Sequence, residues 1–387
     1  MSDSKYAQRG VSANKEDVHA AIKDLDKGLF PNAFCRILPD LAAGDADFVN
    51  IMHADTAGTK TSLAYLYWKE TGDVSVWEGI VQDSMVMNLD DMAAAGMTND
   101  FILSSTIGRN KNLVGGTVVS ALIGAQKKLA DKLKEFDVNI HLAGGETADV
   151  GDIVRTADVG FTAFGRFPKK DVIDMNIQDG DVVVGLASYG QASYEDSYNS
   201  GIGSNGLTFA RHETLTKAYA DKYPESFDPG LNEDVVYTGK SFLTDSFEDA
   251  PLDIGKLLLS PTRTYVPVIK VLLEKLRTEI NGIIHCTGGG LTKVLHFMDD
   301  LTIYKGNPLP VPHVFRMIQQ QTGASWKEMY QVFNMGQRLE VYLPKEHANE
   351  VIEISKSFNI DAQLIGVCVK GKKQVVVNTP GGEFSYE

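Results

Sequence analysis

Carboxylates, a lysine and glycines recur in four short clusters of this sequence, each beside an apolar run. The clusters are residues 55–60 (DTAGTK), Asp90 with Asp91, residues 144–149 (GGETAD) and residues 287–290 (TGGG). Mg²⁺ takes oxygen ligands, usually one or two carboxylates with phosphate oxygens and water, so Asp55, Asp91 and Glu146 have suitable chemistry. Lys60 could neutralise a phosphate. Each cluster alone could be an ordinary turn, but their combination predicts an enzyme that uses ATP and magnesium.

The triple glycine follows a strand pattern at residues 283–286, and a helical pattern at residues 291–298 comes after it. Backbone N–H groups at the start of a helix bind phosphate, with help from the helix dipole. The pattern therefore predicts phosphate binding by Thr287, Gly288, Gly289 and Gly290. The plain alternative is a tight turn that requires positive φ angles. His285 would either face the ligand or pack in the core.

The adjacent carboxylates Asp90 and Asp91 point about 100° apart on a helix, so they cannot easily share one ion. We predict that Asp91 is the ligand, and the alternative for either residue is an ordinary surface charge. Glu146 follows a predicted strand, and its flanking glycines would let a ligand approach the backbone closely. A solvated turn is the alternative for Glu146.

Familiar catalytic signatures of other enzyme classes are missing from the sequence. Gly239-Lys240-Ser241 lacks the earlier glycine of a P-loop, since position 234 is Asp, and no apolar strand precedes it. The histidines show no HExxH spacing, which argues against catalytic zinc. The absence of GxSxG and GxGxxG patterns argues against a serine hydrolase and a Rossmann dehydrogenase.

The composition is ordinary for a globular protein, with 387 residues, 43% hydrophobic and 23% charged. This length predicts two domains. A formal charge of −14 disfavours nucleic acid and acidic membrane surfaces as partners, because phosphates attract basic patches. The sequence shows neither a membrane-spanning stretch nor a signal peptide, so we expect a cytoplasmic protein. The widely spaced Cys35, Cys286 and Cys368 are expected to be reduced structural thiols.

Apolar periodicity places the polar clusters at the ends of predicted elements, where loops held by rigid elements can converge on one ligand. Val18, Ile22, Leu25 and Leu29 predict a first amphipathic helix. Further helices are predicted over residues 76–95, 114–136 and 347–358 and after Pro261, and strands over residues 47–54, 101–106, 138–142, 154–166, 182–187 and 282–285.

We divide the chain into an N-terminal segment (1–45), a first domain (46–170) and a second domain (171–387). The second domain contains a Gly-, Ser- and Tyr-rich loop at 188–203 and a helical insertion at about 212–255. Both are candidate lids or interfaces.

The sequence resembles the aminoimidazole ribonucleotide (AIR) synthetase superfamily over most of its length, and its purine-biosynthetic cyclo-ligases in particular. Residues 55–60 resemble the family's DGVGTK, Asp91-Met92 its NDL and residues 144–149 its GGETAE. The other matching segments are 179–182 (DGDV), 204–206 (SNG), 259–266 (LSPTRTYV), 285–290 (HCTGGG) and 329–336 (MYQVFNMG). The last three point to the cyclo-ligases rather than to their relatives.

The resemblance implies a two-domain fold of mixed α/β (α+β) class, with a C-terminal α/β sandwich domain. It also implies a homodimer in which the N-terminal domains pair their sheets into a barrel. The implied reaction is ATP-dependent phosphorylation of an amide oxygen of formylglycinamidine ribonucleotide, followed by ring closure to AIR with release of ADP and phosphate. The expected cofactors are ATP and Mg²⁺, with K⁺ as a further candidate.

The resemblance also assigns site residues to this sequence. Asp55, Lys60, Asp91 and His285 would be catalytic, and Asp55, Asp91 and Glu146 would hold the metal. Nucleotide contacts would come from Gly58, Thr59, Lys60, Asp91, Gly144, Gly145 and Glu146. The ribonucleotide would contact Ser204, Asn205, Gly206, Thr287, Gly288, Gly289, Gly290 and Asn334.

Three departures from the family pattern lie near the expected site. Gly203 stands where the family has the histidine of HSNG, and an insertion around residues 193–198 precedes it. Residues 29–34 (LFPNAF) replace a glycine-rich GGFG-like segment. If the family histidine is needed, His212 or the inserted loop must replace it. Two alternatives follow: another ATP-dependent small-molecule kinase of this superfamily, and a nucleotide-binding paralogue without catalysis.

Overall fold

A computed structural model describes residues 7–10, 21 and 25–387 of the chain. Val18 and Ile22 of the predicted first helix lie outside the described residues. Leu25 and Leu29 are exposed and lie in a bend rather than a helix, so the prediction is wrong at this end. The reason is a local turn, in which the backbone N–H of Gly28 donates to Asp26.

The first sheet has the strand order β1-β2-β5-β3-β4. Its strands are β1 (Ile37–Pro39), β2 (Phe48–Thr56), β3 (Phe101–Arg109), β4 (Ile140–Asp149) and β5 (Ala157–Pro168). The β3/β4 pair is parallel and the other pairs are antiparallel. The predicted strand 138–142 therefore continues through the GGETAD cluster. The alternative interpretation of this cluster as a solvated turn is wrong, because its backbone pairs with β3.

Within residues 25–170, which the structure describes in full, the α-helices are α1 (Lys60–Thr71), α2 (Val76–Ala94) and α3 (Gly116–Lys134). Helix α2 packs on β2 and β5, and α3 packs on α2 and β4. The opposite face of the sheet carries a row of cross-strand neighbours, Met52, Phe164 and Ile102. Met52 is 60% exposed and Ile102 is 42% exposed, so this outer face presents an apolar surface.

The second sheet has the order β12-β11-β8-β10-β6-β9-β7. Its strands are β6 (Val182–Ala187), β7 (Gly282–His285), β8 (Leu301–Lys305), β9 (Gln337–Leu343), β10 (Ala362–Lys370), β11 (Gln374–Thr379) and β12 (Gly382–Tyr386). Only the β8/β11 pairing is parallel. Strands β6, β7 and β9 are buried throughout; the continuous apolar run of β6 predicts this, whereas β9 also buries Gln337, Arg338 and Glu340.

The helices of this second half are α4 (Leu207–Thr214), α5 (Ala218–Lys222), α6 (Ile254–Leu259), α7 (Val266–Leu276), α8 (His313–Thr322), α9 (Trp326–Val332) and α10 (Ala348–Ser357). A 3₁₀ helix, Gly290–Phe297, follows the triple glycine. Two sheets, each with its own helices, make a mixed α/β fold, which confirms the predicted fold class.

The insertion at 212–255 consists of short helices and turns that pack against α1. Tyr65 Oη donates to Glu225 at 2.5 Å, and Tyr67 Oη donates to Asp253 at 2.8 Å. Lys222 forms an ion pair with Glu70 at 2.6 Å. The insertion therefore covers the side of α1 in this structure.

All three cysteines are free and buried, as predicted. Among the residues that the structure describes, no helix combines the length and the apolar character needed to cross a membrane.

Candidate active site

A cavity of about 990 Å³ lies between the two halves of the chain. The end of β2 and helix α2 supply the predicted residues Asp55, Gly58 and Asp91 to its wall. The second half supplies Ser204, Asn205, Thr287, Gly288 and Gly289. The folded chain thus brings together residues from three of the four sequence clusters.

Helix α2 positions the central carboxylate of the cavity. The helix is buried on all sides over most of its length, which fixes the direction of its side chains. Asp91 accepts a hydrogen bond from His285 Nδ1 at 2.7 Å, and its second oxygen lies 3.5 Å from His53 Nε2. Burial would raise the pKa of Asp91, but the charge of Lys293 and the contact with His285 outweigh it and lower the pKa to about 2. Asp91 is therefore a carboxylate at neutral pH.

Asp90 faces away from the cavity and joins the two halves of the chain. Its carboxylate accepts hydrogen bonds from Thr264 Oγ1 at 2.6 Å and from the backbone N–H of Tyr265 at 2.9 Å, just before α7 begins. Burial raises the pKa of Asp90 to about 7. The structure thus places Asp91 at the cavity and Asp90 in the core, as the 100° rotation between them requires.

Gly288 and Gly289 of the triple glycine line the cavity, just before the 3₁₀ helix Gly290–Phe297. Lys293 lies one turn into this helix and also lines the cavity. Its Nζ donates to Thr287 Oγ1 and lies 4.6 Å from the centre of the Phe34 ring. Sequence reasoning missed Lys293, although its position one turn after a glycine run predicted to bind phosphate was a usable signal. Phe34 belongs to the segment that replaces the family's glycine-rich loop.

Lys60 was predicted to bind phosphate, but in this structure it does not line the cavity. Its side chain is fully buried, and Nζ donates to Asp83 at 2.9 Å and to the backbone carbonyl of Ser260 at 2.6 Å. Asp83 also accepts hydrogen bonds from the backbone and side chain of Thr262. Lys60 therefore holds the first domain against residues 260–262.

Glu146 is also far from Asp55 within one chain. It lies in the same cross-strand row as Thr106, Gly160 and Thr56, on the outer face of the first sheet. Asp55 belongs to the other face, and three strand spacings amount to about 14 Å. Gly144 and Gly145 lie in β4 with it. Within one chain, Glu146 therefore does not line the cavity that Asp55 and Asp91 share.

Several other predicted residues act from behind the cavity wall. His285 is fully buried and contacts Asp91 rather than the cavity. Asn334 accepts from Ser188 Oγ and donates to the carbonyls of Gly201 and Ile202, so it shapes the loop that carries Ser204. Three more residues lie outside the cavity wall: Thr59, Gly206 and Gly290.

Residues 40–167 match the family described as AIR synthase related protein, N-terminal domain. Residues 178–378 match the corresponding C-terminal domain. The chain belongs to the AIR synthase related proteins. The superfamily resemblance in the sequence motifs is thereby confirmed.

Similar AIR synthase related proteins carry one recurring name. A phosphoribosylformylglycinamidine cyclo-ligase of Methanocaldococcus jannaschii is 31% identical over 326 residues, which are 83% of this chain and 78% of that protein. The protein with the same name from Carboxydothermus hydrogenoformans is 27% identical, with 98% of this chain and 100% of that protein covered.

Solved structures show the same AIR synthase related fold at low sequence identity. A chain of a HypE–HypF complex superimposes with a TM-score of 0.57 at 17% identity, covering 96% of this chain and 98% of that chain. AaThiL complexed with AMPPCP and TMP gives a TM-score of 0.56 at 13% identity, covering 96% and 97%. At these identities the likeness concerns the fold alone.

Proposed function

We propose that this protein is a phosphoribosylformylglycinamidine cyclo-ligase. The observation that carries the proposal is the placement of Asp55, Asp91 and the triple-glycine turn around one cavity in a chain whose relatives bear that name. The reaction would transfer a phosphoryl group from ATP to the amide oxygen of formylglycinamidine ribonucleotide. An amidine nitrogen of the substrate then attacks the activated formyl carbon, the C–O bond to the phosphorylated oxygen breaks, and ring closure leaves AIR, phosphate and ADP.

The charged side chains that line the cavity are suited to binding a magnesium nucleotide. Asp91 is ionised at neutral pH, and Asp55 stands on the same wall, so two carboxylates can hold a hard cation. When bound, Mg²⁺ neutralises charge on the transferred phosphoryl group. Lys293, His296 and Lys327 line the same cavity, so their side chains could bind phosphate oxygens.

Each wall of the cavity has a distinct proposed role. The glycine turn with Lys293 would hold a phosphate through backbone N–H groups and the ammonium group. Ser204 and Asn205 would contact the ribonucleotide, because they line the same cavity beside Gly288. Positioning and charge neutralisation can supply most of the catalysis of phosphoryl transfer.

The two alternative functions have less support than the cyclo-ligase. The AIR synthase related chains similar to this one at 27–31% identity are named as cyclo-ligases, whereas AaThiL resembles it in fold at 13% identity. A paralogue without catalysis would not need to keep an ionised Asp91 at the wall of the cavity.

We also propose a homodimer formed through the outer face of the first sheet. The apolar row Met52, Phe164 and Ile102 supports this, since a sheet face of this kind is stable when another sheet covers it. In such a dimer Glu146 would lie in the interface.

We further propose a domain boundary near residue 170, between β5 and β6. We also propose that the enzyme is cytoplasmic.

An assay of the purified protein with Mg-ATP and formylglycinamidine ribonucleotide tests the function. ADP and the aminoimidazole product should form in equal amounts. In Asp91→Asn, kcat/KM for Mg-ATP should fall strongly while the midpoint of urea unfolding stays close to that of the wild type. Asp131→Asn, an exposed carboxylate on α3, is the matched control and should keep full activity.

The possible results separate the proposed function from its alternatives. ATP binding without product would support a silent paralogue, and ADP formation with a different phosphate acceptor would support a kinase. Full activity in Asp91→Asn would contradict the metal assignment while leaving the reaction in place.

A further inference from the structure

Arg338 is a buried cation that the sequence motifs did not indicate. It lies in β9, is 1% exposed and reaches the space beside Gly203. A Cβ atom placed on Gly203 would lie 1.9 Å from Arg338 Nη1, and Gly203 has a φ of +70°. No side chain at position 203 can therefore coexist with the present position of the guanidinium. Gly203 stands where the resemblance expects histidine.

The contacts of Arg338 determine which nitrogen of His285 carries the proton. Arg338 Nε lies 3.1 Å from His285 Nε2, and an arginine can only donate hydrogen bonds. His285 Nε2 must therefore accept, so the neutral ring carries its proton on Nδ1. That Nδ1–H donates to Asp91 at 2.7 Å. The three side chains form a directed chain of hydrogen bonds that ends at the cavity.

The same guanidinium also reaches the cavity wall from behind. Arg338 Nη2 lies 3.7 Å from Met87 Sδ, and both Met87 and Asp91 line the cavity. The carboxylates of Asp83 and Asp90 lie near enough to interact with its charge. A buried cation in this position offsets the acidic groups of α2.

His212 does not provide the missing imidazole. Its ring is fully buried, and its Nδ1 accepts a hydrogen bond from the backbone N–H of Tyr237. It does not line the cavity. The inserted loop around residues 193–198 instead borders a separate cavity beside α3.

We propose that Arg338 is a positioning residue that occupies the space left by Gly203 and fixes the tautomer of His285, so that Asp91 is oriented toward a magnesium nucleotide. The proposal rests on the proposed ATP-dependent function for the identity of the ligand. The hydrogen-bond chain itself is independent of that function, because it exists without the ligand.

The first test needs no substrate and no turnover. The ¹⁵N NMR spectrum of protein labelled in histidine should show His285 as a neutral ring with its proton on Nδ1, and His285→Gln assigns the signal by its loss. A proton on Nε2 in the wild-type protein would overturn the proposal. Absence of cyclo-ligase activity would leave this result unchanged, so the two failures are distinguishable.

The second test removes the guanidinium. In Arg338→Met, the ¹⁵N shifts of His285 should move toward a mixture of tautomers, and the Kd for Mg-AMPPCP should rise by roughly tenfold to a hundredfold. Arg338→Lys keeps the charge without the Nε–H contact and should show the same shift change. Unchanged His285 shifts in a folded Arg338→Met variant would contradict the proposal.

A double-variant cycle tests whether positions 203 and 338 share one space. Gly203→His alone should disturb the His285 signals, because the new side chain displaces the guanidinium. Combining it with Arg338→Ala should make the protein more stable to urea than Gly203→His alone, because the added side chain no longer meets the guanidinium. If the two changes are additive in stability, the shared-space argument is wrong.

Discussion

Two lysines of the first and second halves have opposite environments. Lys60 is buried in an ion pair with Asp83, whereas Lys293 lines the cavity beside Thr287. Charge in a pocket can serve a ligand, but a fully buried pair serves the fold, and removing one partner leaves an unpaired charge. The lysine in the sequence motif, Lys60, and the lysine that lines the cavity, Lys293, are therefore different residues.

The variants Lys60→Met and Lys293→Met should separate these roles. Lys60→Met should lower the free energy of unfolding by about 3–5 kcal/mol, because Asp83 is left buried without its partner. Lys293→Met should leave stability nearly unchanged and raise KM for a phosphate-bearing substrate roughly tenfold, since a hydrogen bond to a charged group contributes about 1.5–3 kcal/mol. Urea unfolding and steady-state kinetics measure the two effects. A stable, inactive Lys60→Met would restore the phosphate-ligand interpretation.

At the scale of elements, a buried ion pair supports the glycine turn. Lys305 of β8 donates to both oxygens of Glu340 in β9 and to the backbone carbonyl of Leu291, one residue after the triple glycine. Glu340 also accepts from Tyr342 and Gln337. The sheet thereby fixes where the 3₁₀ helix begins.

Glu340→Gln should destabilise the protein by about 3–5 kcal/mol, because Lys305 would stay buried without a counter-charge. Glu353→Gln is the matched control: Glu353 pairs with Lys356 on the surface, and its loss should change stability by less than about 0.5 kcal/mol. Urea unfolding at pH 7.5 gives both values. Equal effects of the two variants would contradict a supporting role for the buried pair.

Helix α4 contains a titratable group that should make stability depend on pH. Burial, with the nearby charges of Arg211 and Arg9, lowers the pKa of His212 to about 2. The unfolded chain takes up a proton at His212 below about pH 6.5, and the folded chain does not. Stability should therefore fall as pH drops below 6.5, by about 2 kcal/mol at pH 5 from this residue alone.

His212→Asn keeps an acceptor near the Nδ1 position and removes the titration. Its free energy of unfolding should fall less between pH 7.5 and pH 5 than that of the wild-type protein, although it is less stable at pH 7.5. Urea unfolding at the two pH values provides the comparison. Parallel pH dependence in both proteins would show that His212 does not remain neutral in the folded state.

At the scale of the whole molecule, the two halves meet through the segment 260–265. Asp83 binds Thr262, and Asp90 binds Thr264 and Tyr265. These contacts fix the cavity between the domains. The outer face of the first sheet takes no part in them and presents its apolar row to solvent in a single chain.

Ile102→Glu should convert the proposed homodimer to a monomer, because a charge would replace an apolar side chain in the middle of the interface. Ile123→Glu is the matched control, since Ile123 is 53% exposed but lies on helix α3. Sedimentation velocity measures the mass of each. A monomeric wild-type protein, or a dimeric Ile102→Glu variant, would contradict the proposed interface.

Local sequence patterns predicted strands β2 to β7, helices α2, α3, α7 and α10 and part of the cavity wall, and the family resemblance implied the class of the fold. Apolar period and glycine turns are local properties, so strand β7 and helix α2 could be predicted closely from them. The choice of Asp91 over Asp90 as the residue at the cavity was also predictable, because neighbouring side chains on a helix point about 100° apart.

Only the tertiary structure decided which charged side chains line the cavity. Lys60 and Glu146 lie in matching motifs, but their direction depends on which side of a helix or sheet is buried. Arg338 carries no motif, and its role arises from contacts with Gly203 and His285, which are distant in sequence. Such contacts depend on the packing of residues that are distant in sequence, so they cannot be predicted from local sequence patterns.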